Sequence, residues 1–155
     1  SQPIHGGPMR YESDHWYHYN DGIMRNGLMV ATWALTDAGP NDGGFVCVPG
    51  SHKTNFIDRL PKTVQHQELM PEYVRQPIVK AGDVILFTEA LMHGTRAWHG
   101  DHERRVLLFK YSPPHSSWAK QGYDLADYPD ATEQQRRLMA PPSVEDHAKV
   151  AGDKS

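Results

Sequence analysis

Between Ala81 and Pro113 the chain reads AGDVILFTEALMHGTRAWHGDHERRVLLFKYSP, which sets His93 just beyond an apolar run and Arg104 eleven residues later. Imidazole is the commonest metal ligand, and a guanidinium fork is the natural partner of a carboxylate. At this spacing the two suit a metal ligand and a carboxylate anchor facing one pocket. Gly94 permits close backbone approach beside the histidine. Alone, His93 reads as well as a turn histidine. Arg104 changes the weighting, because an arginine leading into an apolar strand is more often held against an anion than left in solvent. Arg105 points to the opposite face, since side chains alternate along a strand.

Ten histidines are present, at positions 5, 15, 18, 52, 66, 93, 99, 102, 115 and 147. Any one of them is more often a hydrogen-bonded or surface residue than a ligand, so local context has to single out the exceptions. His99 and His102, in the polar loop before Arg104, are expected in solvent unless that loop acts as a lid. Trp16, Tyr17, Tyr19 and Trp98 could wall a substrate pocket, although aromatics in a β-rich chain more often belong to the core.

The elements that must position these residues are mostly strands. Leu28 to Leu35 is apolar and β-rich, with turn chemistry before it at Asn20-Asp21-Gly22 and after it at Gly39 to Gly44. Further short strands are predicted at Phe45 to Val48, Gln76 to Val79, Val84 to Phe87 and Arg105 to Tyr111. Asn55 to Glu72 reads as a loop with a short helix. Regular short strands separated by Gly and Pro turns favour a sandwich or barrel. Ala131 to Met139 reads as a surface helix with Thr132 as N-cap and Pro141-Pro142 as its stop. We expect one domain over residues 1–145, lacking an upstream segment, and a frayed polar tail over 146–155.

Bulk properties exclude more than they choose. A chain of 155 residues can bury one modest core. A net charge of −3 with interspersed signs offers no basic stripe for nucleic acid and no cationic face for a membrane. No apolar run approaches the roughly 20 residues that span a bilayer, and the N-terminus resembles no secretory signal. With Cys47 as the one cysteine, an internal disulfide and a Cys-based metal site are both ruled out. The expectation is a cytoplasmic protein with a small-molecule partner.

Three segments together resemble the phytanoyl-CoA dioxygenase family of non-haem iron, 2-oxoglutarate-dependent oxygenases. They are Gly43-Gly44-Phe45-Val46-Cys47-Val48-Pro49-Gly50-Ser51-His52-Lys53, then Gly82-Asp83-Val84-Ile85-Leu86-Phe87, then His93-Gly94-Thr95 with Arg104. The resemblance covers about Leu28 to Pro113. It implies a mainly β fold, a double-stranded β-helix or jelly-roll, cupin-like barrel with peripheral helices, one of them near the C-terminus. It implies an enzyme that uses Fe(II), 2-oxoglutarate and O2 to hydroxylate a small-molecule C–H bond, releasing succinate and CO2. On it, His93 resembles the distal iron ligand, Arg104 the anchor for the far carboxylate of 2-oxoglutarate, and Thr95 and Trp33 the lining of the cosubstrate pocket. His52 resembles a structural loop element.

The same family supplies its other two ligands from a His-x-Asp motif, completing a 2-His-1-carboxylate centre. No His-x-Asp occurs in this chain. His5-Gly6-Gly7 has the histidine with glycine at the carboxylate position, while His15-Trp16-Tyr17 fits the family spacing with tyrosine there. We prefer His5, because two glycines let the backbone pass close to a metal; the preference requires an extra hairpin between Pro8 and Gly27. The missing carboxylate has three possible consequences. Asp14, Glu12 or Glu89 could swing in and keep an ordinary hydroxylase. Chloride could fill the vacancy, as in iron/2-oxoglutarate halogenases, which carry Gly or Ala at that position. The chain could also have lost its metal and become a non-catalytic jelly-roll binding module.

Overall fold

Consecutive strands of the core alternate between two sheets. The computed structural model describes residues 1–6, 14–54, 60–117 and 123–142. The strands are β1 (Gln2–His5), β2 (Tyr17–Asn20), β3 (Ile23–Asn26), β4 (Met29–Ala34), β5 (Gly44–Cys47), β6 (Val84–Thr88), β7 (His93–Arg96) and β8 (Val106–Tyr111). One antiparallel sheet has the order β1-β7-β5 and a second has β6-β4-β8, so the chain crosses between them at every step from β4 to β8. That alternation is the jelly-roll connection, and the fold is mainly β as expected.

The facing sides of the two sheets meet through Phe45 of β5 and Phe87 of β6, whose rings lie 4.9 Å apart. The other side of the first sheet buries Ile4, Val46 and Met92 together with Val64 and Val74. Val64 belongs to the short helix α1 (Lys62–Gln65), the helix expected before residue 72, and this helix covers that face. On the second sheet, β4 turns Val30, Thr32 and Ala34 inward, where they are buried, and leaves Trp33 on the opposite side, 44% exposed.

Asp21 and Gly22, both at positive φ, close β2 and β3 into the hairpin that Asn20-Asp21-Gly22 announces. The expected strand at Gln76 to Val79 is not one. Isolated bridges occur just before it, Cys47 with Arg75, and at its last residue, Ala38 with Val79, and Pro77 between them has no N–H to donate to a ladder.

By its contacts the chain divides into two units, Ser1–Tyr111 and Ser112–Ser155. The second contains helix α2 (Glu133–Met139), whose N-cap Thr132 forms a capping box with Gln135 as its local sequence predicts. The tail expected over 146–155 lies outside the described residues. No helix among the described residues is long and apolar enough to cross a membrane.

Candidate metal centre

Strand register creates the site. β1 pairs with β7 so that His5 lies directly opposite His93, and cross-strand partners project to the same side of a sheet. Their ring centroids are 4.5 Å apart. Between β6 and β7 the chain makes a tight turn in which the Leu91 N–H donates to Thr88 O, and this turn delivers Glu89 to the two rings. Ligand atoms of His5, Glu89 and His93 all lie within 4.8 Å of one another, and among the described residues no other such cluster of His, Cys, Asp and Glu occurs.

Both imidazoles are oriented from behind. His93 Nδ1 lies 2.8 Å from Leu91 O and His5 Nδ1 lies 2.9 Å from Pro3 O, so each Nδ1–H donates to a carbonyl and each Nε2 keeps its lone pair. Burial, the largest influence on His93, pushes it below the ordinary imidazole range and favours the neutral, ligating form. The rings of Phe87 and Phe45 stand 4.6 and 6.0 Å from that of His93 and form an apolar wall. Ser51, in the Pro49-to-Lys53 turn, is buried and accepts a hydrogen bond from the Met92 N–H, which fixes the backbone immediately before His93.

Each histidine is followed by a glycine that packs against the other's support. A Cβ on Gly6 would fall 2.5 Å from Leu91 O and 3.2 Å from His93 Nδ1, at a φ of +94°. One on Gly94 would fall 3.0 Å from Pro3 O. Gly6→Ala is therefore expected to displace the carbonyl that orients His93. Loss of such a partner typically weakens metal affinity about 10–100-fold, and the backbone strain adds about 1–3 kcal/mol of destabilisation. Titration with Ni(II) and thermal unfolding measure the two effects; unchanged Ni(II) affinity would refute the role given to Leu91.

Glu89 is 3% exposed. Its Oε1 receives Lys110 Nζ at 2.6 Å, while its Oε2 lies 3.7 Å from His93 Nε2 and 4.0 Å from His15 Nε2. Two imidazole nitrogens and one carboxylate oxygen are the donor set of a 2-His-1-carboxylate centre, which suits divalent iron and its open positions.

A second feature lies beyond the aromatic wall. Arg104 lines a pocket with Thr32, Gly43, Phe45, Ile85 and Val106. Gly44, at φ +87°, leaves the room: a Cβ there would sit 3.0 Å from Arg104 Nε. Burial lowers the guanidinium pKa, yet arginine keeps its charge, and no carboxylate among the described residues pairs with it. Thr32 Oγ1, in the same pocket, is buried without a hydrogen-bond partner. A half-buried cation and an orphaned hydroxyl lining one pocket fit the end of an anion.

A sequence profile of the phytanoyl-CoA dioxygenase (PhyH) family matches residues 1–106. The chain belongs to the phytanoyl-CoA dioxygenase family. HygX from Streptomyces hygroscopicus, solved with nickel, 2-oxoglutarate and hygromycin B bound, is 30% identical with a TM-score of 0.61 over 72% of this chain and 50% of that one. The same protein with iron bound superposes with a TM-score of 0.58, at 30% identity, over 72% of this chain and 52% of that one. EvdMO1, at 24% identity and a TM-score of 0.52 over 73% of this chain and 23% of that one, shares the fold. The chain thus spans about half the length of HygX. A search of curated proteins finds no match.

Within this phytanoyl-CoA dioxygenase fold, several residues singled out from sequence lie apart from the cluster. Trp33 faces away from the pocket, and its neighbour Thr32 takes the inward position because β4 alternates. Thr95 shares a face of β7 with His93, opposite Phe45. His15 Nε2 lies 4.0 Å from Glu89 Oε2 but outside the three-residue cluster, and the buried Asp14, whose carbonyl accepts from the Leu28 N–H, is outside it too. Tyr17 meets the His52 ring edge-on at 4.7 Å, Tyr19 is 67% exposed, and the Trp98 indole N–H donates to His102 O. His99 and His102 are exposed, as predicted. Gly7 and Glu12 lie outside the described residues. Thr32, Lys110 and Ser51 carried no individual signal; a Glu four residues before His93 was the available pointer to Glu89.

Proposed function

We propose that this chain carries the catalytic core of an Fe(II)- and 2-oxoglutarate-dependent oxygenase that hydroxylates a C–H bond of a small molecule. The observation that carries the proposal is the clustering of His5, Glu89 and His93 within 4.8 Å. The Nε2 atoms of the two histidines and one oxygen of Glu89 would hold the iron. Arg104 and Thr32 would bind the far carboxylate of 2-oxoglutarate, the guanidinium by charge-assisted hydrogen bonds and the hydroxyl as a donor. When bound, the metal and cosubstrate supply the oxidising chemistry, consuming O2 and yielding succinate, CO2 and the hydroxylated product. The protein's own part is positional: Leu91 O and Pro3 O hold the imidazole tautomers, and the Phe45 and Phe87 rings against His93 would keep water from that side of the site.

HygX, crystallised with nickel, 2-oxoglutarate and hygromycin B bound, and also with iron bound, supports the cofactor assignment and the small-molecule class of substrate. Glu89 supplies a carboxylate where His5-Gly6-Gly7 has none, which favours hydroxylation over halide transfer.

The test is reconstitution under anaerobic conditions with Fe(II) and 2-oxoglutarate, followed by exposure to O2 and quantification of succinate. One metal per chain and O2-dependent succinate are expected, both lost in His93→Ala. A reconstituted protein that holds no metal would identify a binding module instead.

A further inference from the structure

Glu89, the candidate carboxylate ligand, already has a cation on it. Its two oxygens are divided, Oε1 against Lys110 Nζ at 2.6 Å and Oε2 toward His93 Nε2 at 3.7 Å. The carboxylate is 3% exposed, whereas the lysine side chain, 28% exposed, reaches it from the edge strand β8. Positions 104, 106, 108 and 110 have one parity, so the strand carrying Lys110 continues the side from which Arg104 and Val106 enter the anion pocket. One strand face thus offers two cations, one to the pocket and one to the carboxylate ligand.

We propose that Lys110 is a positioning and charge-setting residue that makes Glu89 a one-oxygen ligand of zero net charge. The inference rests on the metal-centre reading above and deepens it. Oε1 is engaged, so Oε2 alone is free to face the metal. The Glu89–Lys110 pair cancels to zero, so a divalent cation beside it keeps its full charge for the anion that joins it. The electrostatic consequence has opposite signs for the two ligands. Lys110 repels the metal and attracts the dianionic cosubstrate, and at separations of a few ångströms in a partly buried site either interaction exceeds the 1.4 kcal/mol that makes a tenfold change in affinity.

Lys110→Met keeps the apolar stem and removes the charge, while Lys110→Arg keeps the charge. With Ni(II) as a redox-inert probe, calorimetric titration should show Lys110→Met binding Ni(II) at least about tenfold more tightly than the parent protein. The Ni(II)-loaded variant should bind 2-oxoglutarate at least about tenfold more weakly. Lys110→Arg should restore both constants toward those of the parent, and the Ni(II) absorption bands of Lys110→Met should shift as Oε1 is released. A lysine that only supports the fold would weaken both ligands together, and that result, or no change in either, overturns the proposal. Failure of the parent protein to bind Ni(II) overturns it along with the metal-centre reading, whereas Ni(II) binding with unaltered constants in Lys110→Met overturns it alone.

Discussion

Glu89→Ala is expected to abolish O2-dependent succinate formation and to weaken divalent-metal binding by more than the roughly 10–100-fold that follows loss of a residue behind a ligand. The expectation follows from geometry: the carboxylate is buried, its Oε2 faces His93 Nε2 at 3.7 Å, and no second carboxylate belongs to the cluster among the described residues. Alanine leaves a vacancy the size of a small anion beside the two imidazoles. Chloride should therefore recover part of the lost metal affinity in Glu89→Ala and none in the parent protein. Ni(II) titration with and without chloride, beside a succinate assay, measures all of this. Parental metal affinity in Glu89→Ala would refute Glu89 as the ligand and return the role to another carboxylate such as Asp14. The variant also removes the carboxylate that Lys110 meets at 2.6 Å, so its unfolding should be followed in parallel, with Glu89→Gln as the isosteric control.

Arg104→Ala should raise the 2-oxoglutarate requirement sharply while leaving metal binding intact. Truncating one partner of a buried, hydrogen-bonded charge pair costs about 2–5 kcal/mol, equivalent to roughly 30-fold to several-thousand-fold in affinity. Arg104→Lys should recover only part of this, because an ammonium cannot present two parallel donors. Thr32→Val removes the orphaned hydroxyl with little change of volume and should cost less, about 1.5–3 kcal/mol for one hydrogen bond to a charged group. The readout is the 2-oxoglutarate dissociation constant of the Ni(II)-loaded protein, with Ni(II) affinity as the control. Unchanged 2-oxoglutarate binding in Arg104→Ala would remove the pocket from the cosubstrate's path. An equal loss of Ni(II) affinity would mean that the variant has disturbed the fold.

Much of the local structure was legible because short-range chemistry decides it. Asn20-Asp21-Gly22 supplies the two positive-φ residues its hairpin needs, and Thr132 with Gln135 caps α2 within one turn. The strand around Val30 announced itself by composition. Gln76 to Val79 looked equally strand-like, but its pairing depended on what lay beside it, and Pro77 limits it to isolated bridges.

The candidate site divides along the same line. His93 and Arg104 were visible as types at a spacing, and His5 as a histidine with glycines behind it, because ligand chemistry restricts which side chains can serve. Glu89 was one carboxylate among three. Nothing in a Glu-x-x-x-His spacing distinguishes a ligand from a surface turn until β1 is laid against β7 and the turn after β6 closes on the pair. The exchange of Trp33 for Thr32 has the same origin: alternation states that neighbours face opposite ways, and only the second sheet's position states which way is inward. Sequence by itself determined the inventory of imidazoles, carboxylates and guanidinium and the turns that punctuate the strands. The tertiary structure decided which carboxylate meets the histidines and which cation sits on it, since those contacts join residues up to 88 positions apart through sheet register, a long-range property that no local pattern encodes.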